Sequence, residues 1–140
     1  MNIIGLIPAR MASSRFPGKP LAKIHGMPMI GHCYKRTNMS SLLNECYVAT
    51  PDQEIFDYVE SIGGKAVMTS HDHKMCNERV VEAVKIIENK KQMKFDIIVN
   101  VQGDLPMVFP DMVDELIKPI INDENVTTTT MVDEVKTLDD

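Results

Sequence analysis

The chain has 140 residues, 44% of them hydrophobic and 25% charged, with 15 Lys and Arg against 20 Asp and Glu, a formal net charge of −5 and a pI of about 5.3. That length and balance suit one core-bearing domain over residues 1–140, and the acidic total argues against nucleic acid as an obligate partner. No run approaches the ~18 consecutive apolar residues of a membrane helix, and Met1-Asn2-Ile3-Ile4-Gly5 lacks the basic segment and cleavage site of a signal peptide, so a cytoplasmic protein with no membrane partner is expected.

In chain order, Asn2 to Ile7 is a nearly continuous apolar run, as expected of a strand buried on both faces of a parallel sheet. A loop rich in small and basic residues follows it. Pro28 to Asn38 reads as a helix with Met29, Ile30, Cys33 and Tyr34 on one face, and Cys46 to Ala49 as a second strand. Thr50-Pro51-Asp52-Gln53 has the form of a capping box with proline at the first helical position, which predicts a helix carrying Ile55, Val59 and Ile62. Gly63-Gly64 supplies a left-handed helix stop before strand Lys65 to Met68. From Asn77 to Asn89, Val80, Val81, Val84 and Ile87 form the buried stripe of another helix. Phe95 to Val101 is the strongest strand signal and runs into Gln102-Gly103-Asp104. Pro110 opens a helix with Val113, Leu116 and Ile117 that Pro119 is expected to stop or kink, and Val126 to Val132 reads as a threonine-rich strand. The alternation predicts an open, mostly parallel, Rossmann-like α/β sheet flanked by helices, with ligands beyond the carboxyl ends of its strands.

Charge is segregated. Residues 1–44 hold Arg10, Arg15, Lys19, Lys23, Lys35 and Arg36 and no acid, a net of +6, whereas the remaining 96 residues carry −11. A local basic loop in an acidic protein suits a small anionic ligand. Within Pro8 to Leu21, Ala9, Ala12, Ser13, Ser14 and Gly18 let backbone amides approach phosphate oxygens, while Arg10, Arg15 and Lys19 supply charge. One unit pair at 4 Å is worth about 4 kcal/mol at an effective dielectric of 20, so three cations suffice for a triphosphate even after a heavy discount. The loop carries neither a P-loop nor a Gly-x-Gly-x-x-Gly fingerprint, and its alternative reading is a solvated basic turn.

Asp104, at the end of a buried strand, suits a divalent cation, since Mg²⁺ takes one or two carboxylates together with phosphate oxygens; the alternative is a turn cap. His71-Asp72-His73 lacks the further ligand a zinc site requires and reads as a surface loop. Glu78 and Arg79 pair on a helix surface with Glu82 and its neighbours or contact the ligand. Cys33, Cys46 and Cys76 form no framework and are expected as free, mostly buried thiols, and the eleven methionines as core filler.

Ile7-Pro8-Ala9-Arg10, Ser13-x-Arg15, Pro17-Gly18-Lys19-Pro20-Leu21, Val48-Ala49-Thr50, Asp72-His73, Glu78-Arg79 and Val101-Gln102-Gly103-Asp104 together resemble the sugar-acid cytidylyltransferases, nearest the 3-deoxy-manno-octulosonate (CMP-Kdo) type. The resemblance runs from residue 3 to about 118. It implies a fold of the nucleotide-diphospho-sugar transferase type whose C-terminal part is missing here. It also implies transfer of CMP from CTP to a Kdo-like 2-keto-3-deoxy sugar acid with release of pyrophosphate, a Mg²⁺ cofactor, and a homodimer in full-length members. By position, Arg10 and Lys19 bind the phosphates with Arg15 and Ser13 in the same loop, Ala9 and Gln102 lie beside cytosine and ribose, Asn77, Glu78 and Arg79 offer base or sugar contacts, and Asp104 binds the metal. Arg10, Lys19 and Asp104 are thus the catalytic candidates. A related transferase using a nonulosonate or another sugar, or a nucleotide-binding domain without turnover, is the alternative. Two departures stand out: Met75-Cys76-Asn77 replaces Ser-Gly-Thr, and Leu105 replaces the Glu of Gln-Gly-Asp-Glu-Pro.

Overall fold

The computed structural model describes residues 1–12, 16–73 and 75–130. Its centre is β1 (Ile3–Pro8), whose six residues are all buried because parallel neighbours flank both edges and helices cover both faces. Alternate side chains feed two cores. Ile3 and Ile7 point to the face covered by α1 (Met29–Asn38), α2 (Gln53–Ser61) and α4 (Pro110–Asn122). Ile4 and Leu6 point to α3 (Cys76–Lys91). The sheet also contains β4 (Glu45–Thr50), β5 (Ala66–Met68) and β6 (Ile97–Asn100), all parallel, in the order β5-β4-β1-β6.

The order carries the functional geometry. From β1 the chain steps outward to β4 and β5 on one side, then returns through α3 to place β6 on the other side of β1. Right-handed crossovers force that reversal to use the opposite face, which is why α3 is the one helix there among the described residues. The loops leaving β1 and β6 therefore lie side by side at the carboxyl edge of the sheet, where open α/β sheets bind their ligands.

Several elements depart from the sequence reading. A short hairpin, β2 (Lys23–Ile24) with β3 (Met27–Pro28), precedes α1, turned by His25 and Gly26 at φ 51° and 79°. Both central residues are left-handed, as a two-residue turn with this twist requires, and Gly26 was its one visible signal. The capping box does not form: α2 starts at Gln53, whose side-chain amide donates forward to Asp57 at 2.7 Å. Thr50 instead accepts from the Asp52 amide at 3.1 Å, and the Asp52 carboxylate is engaged by the loop after β1. Gly63, at φ 77°, ends the helix as anticipated.

On α3, Val80, Val84 and Ile87 are buried but Val81 is 52% exposed, and Ala83 takes its place in the core. The buried residues thus recur at i, i+3, i+4 and i+7, the stripe of a helix packed on one sheet face, and Val81 falls just outside it. Pro119 neither stops nor ends α4, which continues to Asn122. It forfeits one backbone bond, and the anchoring of buried Val113 and Ile117 with Leu116 and Ile120 against the core outweighs that loss. Residues 126–130 do not form a strand: the Val126 amide turns back to Asp123 at 3.0 Å and the Thr129 hydroxyl donates to the Leu116 carbonyl at 2.6 Å, while 131 and 132 lie outside the described residues. Nor are the methionines generally core filler. Met29 is buried, but Met39, Met75 and Met107 are each more than 60% exposed, sitting at helix ends and in the loop after β6 where no layer covers them. Cys33 and Cys46 are buried free thiols, and among the described residues no helix is long and apolar enough to cross a membrane.

Candidate functional site

The crevice is built on backbone contacts before any charge enters it. Ala9 extends β1 by donating to the Ala49 carbonyl at 3.0 Å, and the Met11 amide donates to the Asp52 carboxylate at 2.8 Å. The loop then closes on itself, with the Gly18 amide donating to the Met11 carbonyl at 2.8 Å. Gly18 sits at φ 75°, a conformation that favours glycine, and it delivers Lys19 at the start of a short 3₁₀ turn, Lys19–Leu21. Ser13, Ser14 and Arg15 lie outside the described residues. Arg10 is exposed and Ala9 buried.

From the other side, Val101 donates to the Leu6 carbonyl at 2.9 Å and Gln102-Gly103-Asp104-Leu105 turns sharply, the Leu105 amide reaching the Gln102 carbonyl at 3.3 Å. A Cβ on Gly103 would lie 2.7 Å from the Pro8 carbonyl oxygen, so only glycine lets this turn lie against the end of β1. Beneath it, the Cys33 thiol donates to the Gly103 carbonyl at 3.3 Å. Burial, reinforced by the Asp104 charge and opposed by backbone hydrogen bonding, pushes that thiol up to about 11, so it stays protonated and available as a donor. The two loops therefore converge: Lys19 Nζ is 3.9 Å from Asp104 Oδ2, with the side chains 44% and 56% exposed. A pair so exposed adds only about 0–1 kcal/mol to stability. Its charges remain available to a ligand.

A second wall is formed by the β5–α3 turn. Asn77 and Glu78 are exposed in the first turn of α3, and Asn100, at the end of β6, donates from its side chain to the Asn77 side-chain oxygen at 3.2 Å. Arg79 is not a surface residue: it is 4% exposed and its guanidinium donates to the Ser70 carbonyl at 3.4 Å. His71 and Asp72 are exposed, as a surface loop predicts, but His73 is drawn inward onto Glu82, with its Nδ1 3.6 Å from a Glu78 oxygen. Glu82 also accepts the Ser70 amide on both oxygens at 3.1 Å. Burial would raise the Glu82 carboxyl, but the His73 and Ser70 hydrogen bonds outweigh it and hold the group below its ordinary value. Sequence reasoning missed this network. The signal was present in the spacing of Glu78 and Glu82 on one helix face, but nothing in the pattern said that His73 folds back to meet them.

Among the described residues no three His, Cys, Asp or Glu side chains gather as a metal cluster. Asp104 is thus not part of a three-ligand cluster among the described residues, so a cation there needs oxygens from its ligand. Among the described residues the two loops and the β5–α3 turn thus offer the cations Arg10 and Lys19, the carboxylates of Asp104 and Glu78, and the side-chain amides of Asn77 and Gln102.

The family model for cytidylyltransferases matches residues 4–139. A 3-deoxy-manno-octulosonate cytidylyltransferase from Geotalea uraniireducens is 46% identical over all 140 residues, which cover 53% of that protein. An 8-amino-3,8-dideoxy-manno-octulosonate cytidylyltransferase from a Shewanella species is 50% identical over 117 residues, 84% of this chain and 46% of the relative. The solved structure of a CMP:2-keto-3-deoxy-manno-octonic acid synthetase complexed with CTP superposes with a TM-score of 0.80 at 40% identity, covering 89% of this chain and 49% of that one. A 4-diphosphocytidyl-2C-methyl-D-erythritol synthase, 15% identical with a TM-score of 0.66, shares the fold. The chain spans about half the length of the curated relatives it matches.

Proposed function

Because the chain belongs to the cytidylyltransferase family, we propose that it forms the nucleotide-holding part of an enzyme that transfers CMP from CTP to a Kdo-like 2-keto-3-deoxy sugar acid, releasing pyrophosphate. The observation that carries the reading is the meeting of Lys19 and Asp104 at 3.9 Å from loops 85 positions apart in sequence. Lys19 and Arg10 hold the triphosphate, with Ser13 and Arg15 contributing from the same loop. Ala9 is small enough at the end of β1 for a flat base to lie against the backbone, and Gln102 offers an amide to the base or ribose. Asn77 and Glu78 stand at the opposite wall, and Arg79 acts from beneath it.

A single exposed carboxylate fits Mg²⁺, which keeps much of its coordination for water and phosphate oxygens, and Asp104 is the residue that would hold it. When bound, the ion neutralises charge on the phosphates. The remaining work belongs to the chain: Lys19 and Arg10 fix the phosphates so that the sugar hydroxyl meets the α-phosphorus in line with departing pyrophosphate. Such a transfer requires no protein nucleophile. The same reading takes residues 1–140 as one nucleotidyltransferase domain of a cytoplasmic homodimer whose partners are CTP and the sugar acid.

The test is pyrophosphate release by the whole reading frame, given CTP, Mg²⁺ and either Kdo, its 8-amino analogue or a nonulosonate. Turnover with Kdo is expected to exceed the others. Absence of pyrophosphate release with every acceptor overturns the proposal, and turnover confined to a nonulosonate moves it to the related transferase.

A further inference from the structure

The β5–α3 turn spends its charges on itself, and this is unusual for the wall of an anion-binding crevice. Glu78 and Glu82 lie one helical turn apart on α3, so left alone they would repel each other and any polyphosphate nearby. His73 sits against both carboxylates, and buried Arg79, between them in sequence, bonds the Ser70 carbonyl. The Ser70 amide donates to both oxygens of Glu82, while the Ser70 hydroxyl accepts the Asp72 amide at 3.1 Å. One residue upstream, the Thr69 amide donates to the Thr50 carbonyl at 2.9 Å, tying the turn to the end of β4. The turn is therefore folded back onto the second turn of α3 through one carboxylate. In the first loop, Lys19 faces Asp104.

We propose that Glu82 and His73 are positioning residues: they clamp the β5–α3 turn so that Asn77, held by Asn100, stands at the crevice wall beside Gln102 and reads the base and sugar of the nucleotide. The phosphate side is held by separate elements, namely the Gly18 turn, the Asp52 carboxylate and the Gly103 contact with Pro8. The clamp therefore governs recognition of the nucleoside without governing the grip on phosphate. It also draws the Glu82 carboxylate back onto His73 and the Ser70 amide. This inference rests on the nucleotide reading given above.

The probes are CTP and inorganic tripolyphosphate, each with Mg²⁺, titrated calorimetrically into the 140-residue chain. Amide hydrogen exchange of residues 69–73 and 75–77 is followed alongside. Glu82→Ala and His73→Ala are expected to weaken CTP about tenfold, the scale of a lost charge-assisted hydrogen bond, and to leave tripolyphosphate within about twofold of wild type. Glu82→Gln keeps an acceptor for the Ser70 amide and is expected to recover part of the loss. Exchange in the turn is expected to quicken in the alanine variants while β1 and β4 stay protected. Unchanged CTP affinity, or equal loss of both ligands in a folded variant, overturns the recognition role, and unchanged exchange overturns the clamp. A wild-type chain that binds neither probe overturns the functional reading and the recognition role with it, while the exchange comparison still decides the clamp.

Discussion

The two walls of the crevice are built on opposite plans. The wall formed by the loops after β1 and β6 is shaped by backbone contacts, such as Gly103 against the Pro8 carbonyl and Gly18 on Met11, and leaves Lys19 and Asp104 half in solvent. The β5–α3 wall is shaped by side-chain charges that satisfy one another, with Arg79 buried and Glu82 shared between His73 and Ser70. A wall that fixes geometry with backbone has its charges to spare for a ligand. The wall fixed by charge presents Asn77, bonded to Asn100, beside the exposed Glu78.

The largest expected effect breaks the first wall. Lys19→Ala should weaken CTP binding by about 10²-fold through loss of a charge-assisted phosphate contact, measured by calorimetry, while the melting temperature stays within about 2 °C because the exposed ion pair contributes little. Next, Gly103→Ala should cost about 1–3 kcal/mol of stability, since the new methyl meets a backbone carbonyl rather than a flexible side chain, and should misplace Asp104 as well; denaturant unfolding and CTP titration read the two effects.

A smaller effect concerns acid. The Asp114 carboxylate is buried, and although burial raises it, hydrogen bonds from Ser40, Ser41 and the Leu42 amide hold it below its ordinary value, as His73 and Ser70 do for Glu82. A carboxyl lowered on folding contributes stability that is fully present above the unfolded value near 4 and is lost as pH falls through the folded one. Urea midpoints should therefore be flat from about pH 7 to 5 and decline below about pH 4, and Asp114→Asn should shrink that decline. The smallest change is on the outer flank of α3: Val81→Lys should shift stability by less than about 0.5 kcal/mol, whereas Val84→Ala, one turn away and buried, should cost about 1–3 kcal/mol.

Most of the architecture was legible because it follows from periodicity. The apolar runs at Ile3–Pro8 and Ile97–Asn100 are parallel strands, and the helices over Ile55 and Val80 pack as their stripes require. The meeting of the Lys19 and Asp104 loops was also readable, since it depends only on parallel strands sharing a carboxyl edge. What escaped depends on competition between partners. Thr50 reads as a helix cap with Asp52 in the first turn until the helix starts later, at Gln53, and the Met11 amide claims the Asp52 carboxylate. Pro119 reads as a stop until tertiary burial overrides the missing amide. Threonines 127–130 read as a strand by propensity, yet Thr129 satisfies its hydroxyl on α4. The inward turn of His73 was invisible for the same reason: its partners lie one loop and two helical turns away, where no short spacing rule applies.

The measurement that bears most directly on the whole account is a calorimetric titration of CTP into wild type and Asp104→Asn, with and without Mg²⁺. Wild type should bind CTP more tightly when Mg²⁺ is present, and the asparagine variant should lose that dependence while keeping the weaker metal-free affinity given by Lys19 and Arg10. A Mg²⁺ dependence identical in the two proteins would contradict the account, because the carboxylate facing Lys19 would then have no part in holding the metal–nucleotide complex.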